Sequence, residues 1–275
     1  MNPSPQLGID LGGSKIEIIA LHDGRELLRK RMATPQGDYR ATVAAICSLI
    51  AQTEDQLGMR GSVGVGIPGS RSPDHGRIKN ANSVCLIGED LQGDLQQALQ
   101  RPVALANDAD CFSLSEATDG AGENAATVFG VILGTGVGGG IVVNGRLLQG
   151  PNAIAGEWGH NPMPWPRAAT GAAIDCYCGK QDGIETFLSG PGWAARSGLG
   201  ISAEQLAASV RQGNPQAIQA LERYCEDLAR GLAAVINLLD PHVIVLGGGL
   251  SNMPELYRRV PLLLRRHVFS DQLNT

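Results

Sequence analysis

The sequence predicts an α/β protein built from two similar halves. Strand-like runs that stop at glycine alternate along the chain with apolar stripes at helical spacing. A strand, glycine turn, strand unit near the start, LGIDLGGSKIEIIALHDGRELL, recurs one chain half later as TVFGVILGTGVGGGIVVNGRLL. The length of 275 residues, 43% apolar and 18% charged, suits one large domain or two medium ones. The recurring hairpin reads as a weak internal repeat with a cleft between the halves. The expected boundary gives an N-terminal domain over 1–106 and a C-terminal domain over 107–275.

Taken in order, the first hairpin is followed by ATVAAICSLIAQTEDQLG, a helix by the spacing of Val43, Ile46, Leu49, Ile50 and Leu57, closed by a glycine stop. SVGVGIPG is a short buried strand, DLQGDLQQALQ a weaker helix and PVALA a strand. Asn107 and Asp108 then open a helix, a boundary both residue types favour. In the second hairpin Asn144-Gly145 signals a tight turn. IETFLSG is a short helix, PQAIQALERYCEDLARGLAAVINLLD a long one, HVIVLGGG a strand, and MPELYRRVPLLLRRHVF a helix expected to break at Pro261. The apolar stripes are core packing.

A net charge of −5 with no basic run argues against a nucleic-acid partner held by phosphate contacts. No apolar run approaches a membrane span, and MNPSPQLGID has neither a basic nor an apolar leader segment. Cys47, Cys85, Cys111 and Cys225 stand singly in apolar surroundings, which reads as buried thiols in a reducing cytoplasm.

The chemistry concentrates at the glycine clusters. GTGVGG, Gly134 to Gly139, satisfies the dinucleotide pattern, but it runs into the β-branched IVVNGRLL, where a dinucleotide site needs a helix. No P-loop pattern is present. Two hairpin tips rich in glycine remain, and backbone N–H groups at such tips suit phosphate oxygens. Asp10 precedes the first tip and Ser14 and Lys15 follow it, a carboxylate able to hold Mg²⁺ through water beside two phosphate donors. Gly134-Thr135-Gly136 adds a hydroxyl to the second, and Gly247-Gly248-Gly249 ends a third strand. Each hairpin alone also reads as plain turn structure.

Together, IDLGGSK, GVGIPG, the NDA at 107–109, LGTGVGGG, AGEWGHNP and CYCGKQDGIETFLSG resemble the ROK sugar kinases, from residue 6 to about 270. KNANS, LANDA and AGEWGHNPMPW resemble the fructokinase (mannofructokinase) branch most. The resemblance implies two actin-like, ribonuclease H-like domains of the sugar kinase, heat-shock-70 and actin superfold, with the site in the cleft. It implies ATP and Mg²⁺ as cofactors, a homodimer, and phosphorylation of a hexose. Fructose at O6 comes first, with mannose second; a glucose or N-acetylhexosamine kinase is the alternative. A non-catalytic sugar sensor is the alternative of another class, against which Asp108 speaks. The family's repressors carry an N-terminal helix-turn-helix, whereas this sequence starts at its first strand.

Residue by residue, the resemblance makes Asp108 the catalytic base. Asn107, Glu157, His160 and Glu185 bind sugar hydroxyls, with the Gly69 backbone and Asn82. Asp10, Gly12, Gly13, Ser14 and Lys15 line the phosphate side, Gly134, Thr135, Gly136, Gly138 and Gly139 form the second phosphate loop, and Gly247 and Gly248 lie near the adenosine. Read as bare residues, Asp108 is equally a helix cap, and Glu157 with His160 a surface pair.

The resemblance also implies a zinc loop, inserted at 160–185. The family's ligands are one His and three Cys; this chain supplies His160, Cys176 and Cys178. Asp182 and Gly183 replace the family's Gly and third Cys, so Asp182 is a candidate fourth ligand, with water or loss of the metal as alternatives. A His160 ring nitrogen given to zinc would fix the other toward the sugar. The family also has a further segment beyond the point where this sequence stops, Thr275.

Overall fold

The first glycine hairpin frames the N-terminal half. In the computed structural model, which describes residues 4–81, 83–165 and 173–275, β1 (Gln6–Leu11) turns into β2 (Lys15–His22), paired antiparallel from Gln6↔Leu21 to Leu11↔Ile16. Ile16, Ile18 and Ala20 are fully buried while their neighbours are not, the period-two pattern of a sheet with one core face. Asp23 and Gly24, both at positive φ, make the turn into β3 (Arg25–Ala33).

Helix α1 (Tyr39–Leu57) is capped by Asp38, whose side chain accepts from the Ala41 N–H, and stops at Gly58 in the left-handed region. Its stripe of Ala45, Ile46, Leu49 and Ile50 packs into the first core with Leu7, Ile9 and Ile18. β4 (Ser62–Ile67) runs parallel to β1. A small ribbon, β5 (Ser70–Arg71) with β6 (Ile78–Lys79), precedes α2 (Leu91–Leu99), and β7 (Val103–Asn107) runs parallel to β4. The sheet order is β3-β2-β1-β4-β7.

After α3 (Asp108–Asp119) come β8 (Thr127–Leu133), β9 (Val137–Val143) and β10 (Arg146–Leu147). Asn144 and Gly145, at φ 50° and 72°, form the expected turn between β9 and β10. α4 (Glu185–Leu188), α5 (Gly190–Ser197), α6 (Ala203–Arg211) and α7 (Pro215–Leu239) follow, then β11 (Val243–Gly247) and α8 (Pro254–Leu264). The second sheet has the order β10-β9-β8-β11, with β8 antiparallel to β9 and parallel to β11. That repeats the order and directions of β3-β2-β1-β4, so the repeat read in the sequence is a repeat of topology. α7 buries Leu221, Leu228, Leu232 and Ile236 against Leu188, Trp193 and Val131, each large side chain contributing about 1.5–3 kcal/mol.

The chain divides into two compact units, Met1–Cys111 with Gln149–Ile154, and Phe112–Leu148 with Ala155–Thr275; the division falls inside α3. Among the described residues no helix is long and apolar enough to cross a membrane.

Three expectations change. α5 and α6 were not read from the sequence. α8 continues through Pro261, which is exposed where a freed carbonyl can be hydrated. Of the four single cysteines, Cys225 is buried, Cys47 and Cys85 are partly buried and Cys111 is exposed; all are free thiols.

Candidate active site

In the first unit, the chemistry gathers where β7 ends. The Asn107 Oδ1 accepts from the N–H groups of Ala109 (2.9 Å) and Asp110 (3.2 Å), and its Nδ2 donates to the Gly69 carbonyl (2.9 Å). Asn107 therefore takes the main capping role that residue type alone allowed to Asp108. Asp108 is the first residue of α3, exposed, with Oδ1 accepting from the Ala109 N–H (2.8 Å). Gly69 must be glycine: its φ is +83°, and a Cβ there would lie 2.6 Å from the Lys79 carbonyl and 2.8 Å from the Ala81 nitrogen. Asn82, the other expected sugar contact in this unit, lies outside the described residues.

The first hairpin tip is open. The Gly12 N–H donates to the Lys15 carbonyl (2.9 Å), and Gly13, Ser14 and Lys15 are exposed. Thr34 Oγ1 and Gln36 Nε2 donate to the carbonyls of Gly12 and Gly13 at 2.7 and 2.6 Å. Desolvation and then the Glu17 carboxylate raise the pKa of Asp10 above the usual carboxylate range, against Lys15 and Arg31. Asp10 and Asp108 share a neighbourhood: both, with Asp110, add to the desolvation that pushes the Cys111 thiol up to about 11.

In the second unit, two quoted motifs turn out to need each other. A Cβ on Gly139 of β9 would lie 2.8 Å from the Gly156 carbonyl, and one on Gly159 would lie 2.5 Å from the Val137 carbonyl. Gly156, at φ +90°, abuts the Gly139 carbonyl in turn. Trp158 Nε1 donates to the Gly138 carbonyl (3.0 Å), and its buried ring stands edge-on to Phe129. The backbone of AGEWGH is thus pressed onto β9, which fixes where Glu157 and His160 emerge. Gly138 and Gly139 have this packing role inside the strand, whereas Gly134, Thr135 and Gly136 form the turn, closed by the Gly134 N–H to the Gly136 carbonyl (3.0 Å). Glu185, at the start of α4, accepts the Val137 N–H on Oε2 (3.0 Å). Gly247 packs on the Phe112 ring, and Gly248, at φ +82°, lies against the Leu133 carbonyl, so the third glycine cluster adjoins the second hairpin.

His160, Cys176 and Cys178 converge, their ligand atoms all within 4.8 Å of one another. The His160 Nδ1 and Cys176 Sγ are 3.5 Å apart. Zn–S near 2.3 Å and Zn–N near 2.0–2.1 Å at the tetrahedral angle require roughly 3.5–3.6 Å, so this edge has the geometry and donor chemistry of a zinc site. Two expectations are corrected here. Asp182 does not join the group: its Oδ1 accepts from the Ile174 N–H (3.1 Å) and from Arg196 Nη2 (2.6 Å), which lower its pKa. Its φ of +53° suits the place where the family carries Gly. The His160 Nε2 is engaged by the Tyr177 hydroxyl at 2.9 Å, with the rings edge to face.

Tyr177 was invisible as a site residue, because only the fold brings it to His160. Desolvation, then the Glu185 and Glu157 carboxylates, raise its pKa, so it shares the neighbourhood of both. Arg196 was missed likewise; its guanidinium reaches Asp182 and the Thr186 carbonyl and lies 3.4 Å over the Phe187 ring.

The sequence model of the ROK family matches residues 6–275. The chain is 40% identical over 268 residues to the N-acetyl-D-glucosamine kinase of Pectobacterium atrosepticum, covering 94% of this chain and 88% of that protein. The ROK hexokinase from Thermus thermophilus superposes with a TM-score of 0.81 at 29% identity, covering 96% of this chain and 88% of that one. A ROK family glucokinase from Streptomyces griseus, solved with glucose and AMPPNP, also gives 0.81, at 26% identity, covering 97% of this chain and 90% of that one. The actin-like sugar kinase fold expected from the motifs is the fold of these neighbours, and the chain belongs to the ROK family.

Proposed function

We propose that this chain transfers the terminal phosphoryl group of ATP to a hydroxyl of N-acetyl-D-glucosamine. As a ROK member whose relatives are kinases, it is an ATP-dependent sugar kinase. The observation that carries the choice of sugar is the identity of 38–40%, over about 95% of the chain, to proteins bearing the name N-acetyl-D-glucosamine kinase. Motif resemblance put fructose first, with a glucose or N-acetylhexosamine kinase as the alternative; the relatives support the N-acetylhexosamine alternative ahead of fructose.

The chemistry asks for few groups. An in-line hydroxyl needs a carboxylate to orient it and accept its proton, and the phosphates need donors and Mg²⁺. Asp108 is our candidate base. Its neighbour Asn107 carries the capping bonds and holds the Gly69 carbonyl in place. Glu157 and Glu185 are the candidate readers of sugar hydroxyls, since paired donors and acceptors reject analogues that lack one; both ring nitrogens of His160 are engaged by the zinc loop. Asp10 would hold Mg²⁺ through water, with Ser14, Lys15 and the Gly134–Gly136 turn toward the phosphates. Zinc on His160, Cys176 and Cys178 would fix the loop that carries Tyr177. A homodimer in the cytoplasm remains our expectation, checked by sedimentation and fractionation.

ADP release measured across a sugar panel tests the proposal. N-acetyl-D-glucosamine should give the highest kcat/KM. Fructose preferred tenfold or more would return the assignment to the fructokinase branch, and no release with any hexose would leave the sensor.

A further inference from the structure

The loop that carries Tyr177 lacks one ligand of the family's closed zinc site, and in the family pattern that ligand stands at Gly183. Gly183 is buried beside the turn that carries His160: it bridges to Pro162, and the Ile184 N–H donates to the Asn161 carbonyl (2.9 Å). A Cβ built on Gly183 would meet the Gly159 carbonyl at 3.4 Å, the Asn161 carbonyl at 3.5 Å and the His160 carbonyl carbon at 4.0 Å, all ordinary contact distances. A side chain fits there, and this chain has none.

Among the described residues no side chain replaces it. Asp182 is bound to Arg196 and the Ile174 N–H. Glu185 gives Oε2 to the Val137 N–H, and its Oε1 comes only to 3.9 Å of the Cys176 Sγ, outside the three-ligand group. The segment 166–172, PRAATGA, contains no His, Cys, Asp or Glu. Cys178 is exposed, so solvent reaches the cluster. The other ring nitrogen of His160 has the Tyr177 hydroxyl as partner, the outer-shell bond that fixes which nitrogen of a ligating His faces the metal.

We propose that His160, Cys176 and Cys178 hold a zinc-class divalent cation through three protein ligands, and that its fourth position, on the side of Gly183, is open to an exchangeable donor such as water, imidazole or a thiolate. Structural zinc sites are closed by four protein ligands, and sites with three keep a position for a small molecule. The loop of this chain is thereby a ligand-accessible metal site. This holds whether or not the sugar is N-acetyl-D-glucosamine, and its readout is independent of phosphorylation.

Cobalt titration of the reduced, chelator-washed protein tests it. One Co²⁺ per chain should bind with tetrahedral visible bands and a thiolate charge-transfer band, and added imidazole should shift the visible bands. Cys178→Ser should reduce the charge-transfer intensity. Gly183→Cys should tighten zinc binding, read by competition with a chromophoric chelator, by at least about tenfold, the least that an outer-shell partner contributes, and abolish the imidazole shift. Binding well below one Co²⁺ per chain, or visible bands indifferent to imidazole in the unaltered protein, overturns the proposal. An imidazole shift that persists in folded Gly183→Cys also overturns it. If Gly183→Cys fails to fold, the imidazole response of the unaltered chain against Cys178→Ser decides.

Discussion

The two glycine hairpins share one backbone plan and differ in what braces them. In the first, the carbonyls of Gly12 and Gly13 are held by Thr34 and Gln36, which directly follow the next strand of the same sheet. In the second, the Gly134 carbonyl accepts from the Gly190 N–H at the start of α5 (2.7 Å), Val137 is held by Glu185, and Gly248 abuts the strand end at Leu133. The first tip carries charge, with Lys15 on it and Asp10 before it; the second carries Thr135 among glycines. A duplicated scaffold has kept its turn and changed its surroundings. The first hairpin is a local device within its sheet. The second is wired to Glu185, a proposed sugar reader, so a disturbance there reaches further.

The largest expected effect tests that wiring. Gly156→Ala places a Cβ against the Gly139 carbonyl at a φ of +90°. Strained backbone and a carbonyl that must move should together cost about 3–5 kcal/mol. Thermal unfolding should show a large fall in Tm. A fall of only a degree or two would mean that the AGEWGH backbone is not seated on β9 as described.

Next comes the division of roles. Asp108→Asn should lower kcat by roughly 10² or more while sugar and ATP binding stay within a few fold. Glu157→Gln should instead act mainly on the KM for the sugar. If the two variants changed the same parameter to the same extent, or if Asp108→Asn turned over at near the normal rate, the assignment of base and reader would fail.

The contrast between hairpins also explains what was legible in the sequence. Strand-like runs around the glycine turns and Asn144-Gly145 are local signals, so both hairpins could be read directly, whereas the sheet orders could not. The capping bonds of Asn107 lie within three residues and were legible by type, though type alone did not separate Asn107 from Asp108. Helix α5 was hidden because it opens on Gly-Pro-Gly, while α6 carried a local signal that went unread, the capping box of Ser202 and Gln205; both pack on α7 through Trp193 and Leu206. Tyr177 on His160 and Arg196 on Asp182 join residues 17 and 14 positions apart, beyond any periodicity. The resemblance supplied the candidate roles, and only the fold showed that Asp182 is already bound elsewhere.

A smaller effect separates glycines that pack from those kept clear for a ligand. A Cβ on Gly134 meets nothing within 4 Å, and its φ is not in the left-handed region. Gly134→Ala should therefore change stability by less than about 1 kcal/mol yet raise the KM for ATP roughly tenfold, because a methyl group keeps phosphate oxygens off the turn. Unchanged ATP kinetics in a stable variant would remove the second hairpin from the phosphate site.

The smallest effect probes the carboxylates of the first unit through a thiol. Cys111 is exposed, yet desolvation first, then Asp110, Asp108 and Asp10, push its thiol up to about 11. Cys225 in the second unit is pushed up to about 12, chiefly by burial, and is shielded from reagents. The thiolate is the nucleophile, so alkylation of Cys111 should rise about tenfold per pH unit from pH 7 to 10 without a plateau. An ordinary cysteine levels off near 8.5. Asp108→Asn removes one negative neighbour, which lowers the thiol pKa and raises the thiolate fraction. The rate at pH 8, followed for the Cys111 peptide by mass spectrometry, should increase by about threefold, corresponding to roughly half a unit. Cys225 should stay unreacted in both proteins. A rate for Cys111 indifferent to Asp108→Asn would separate the two groups and remove Asp108 from the charged neighbourhood in which a base beside Asp10 is proposed to act.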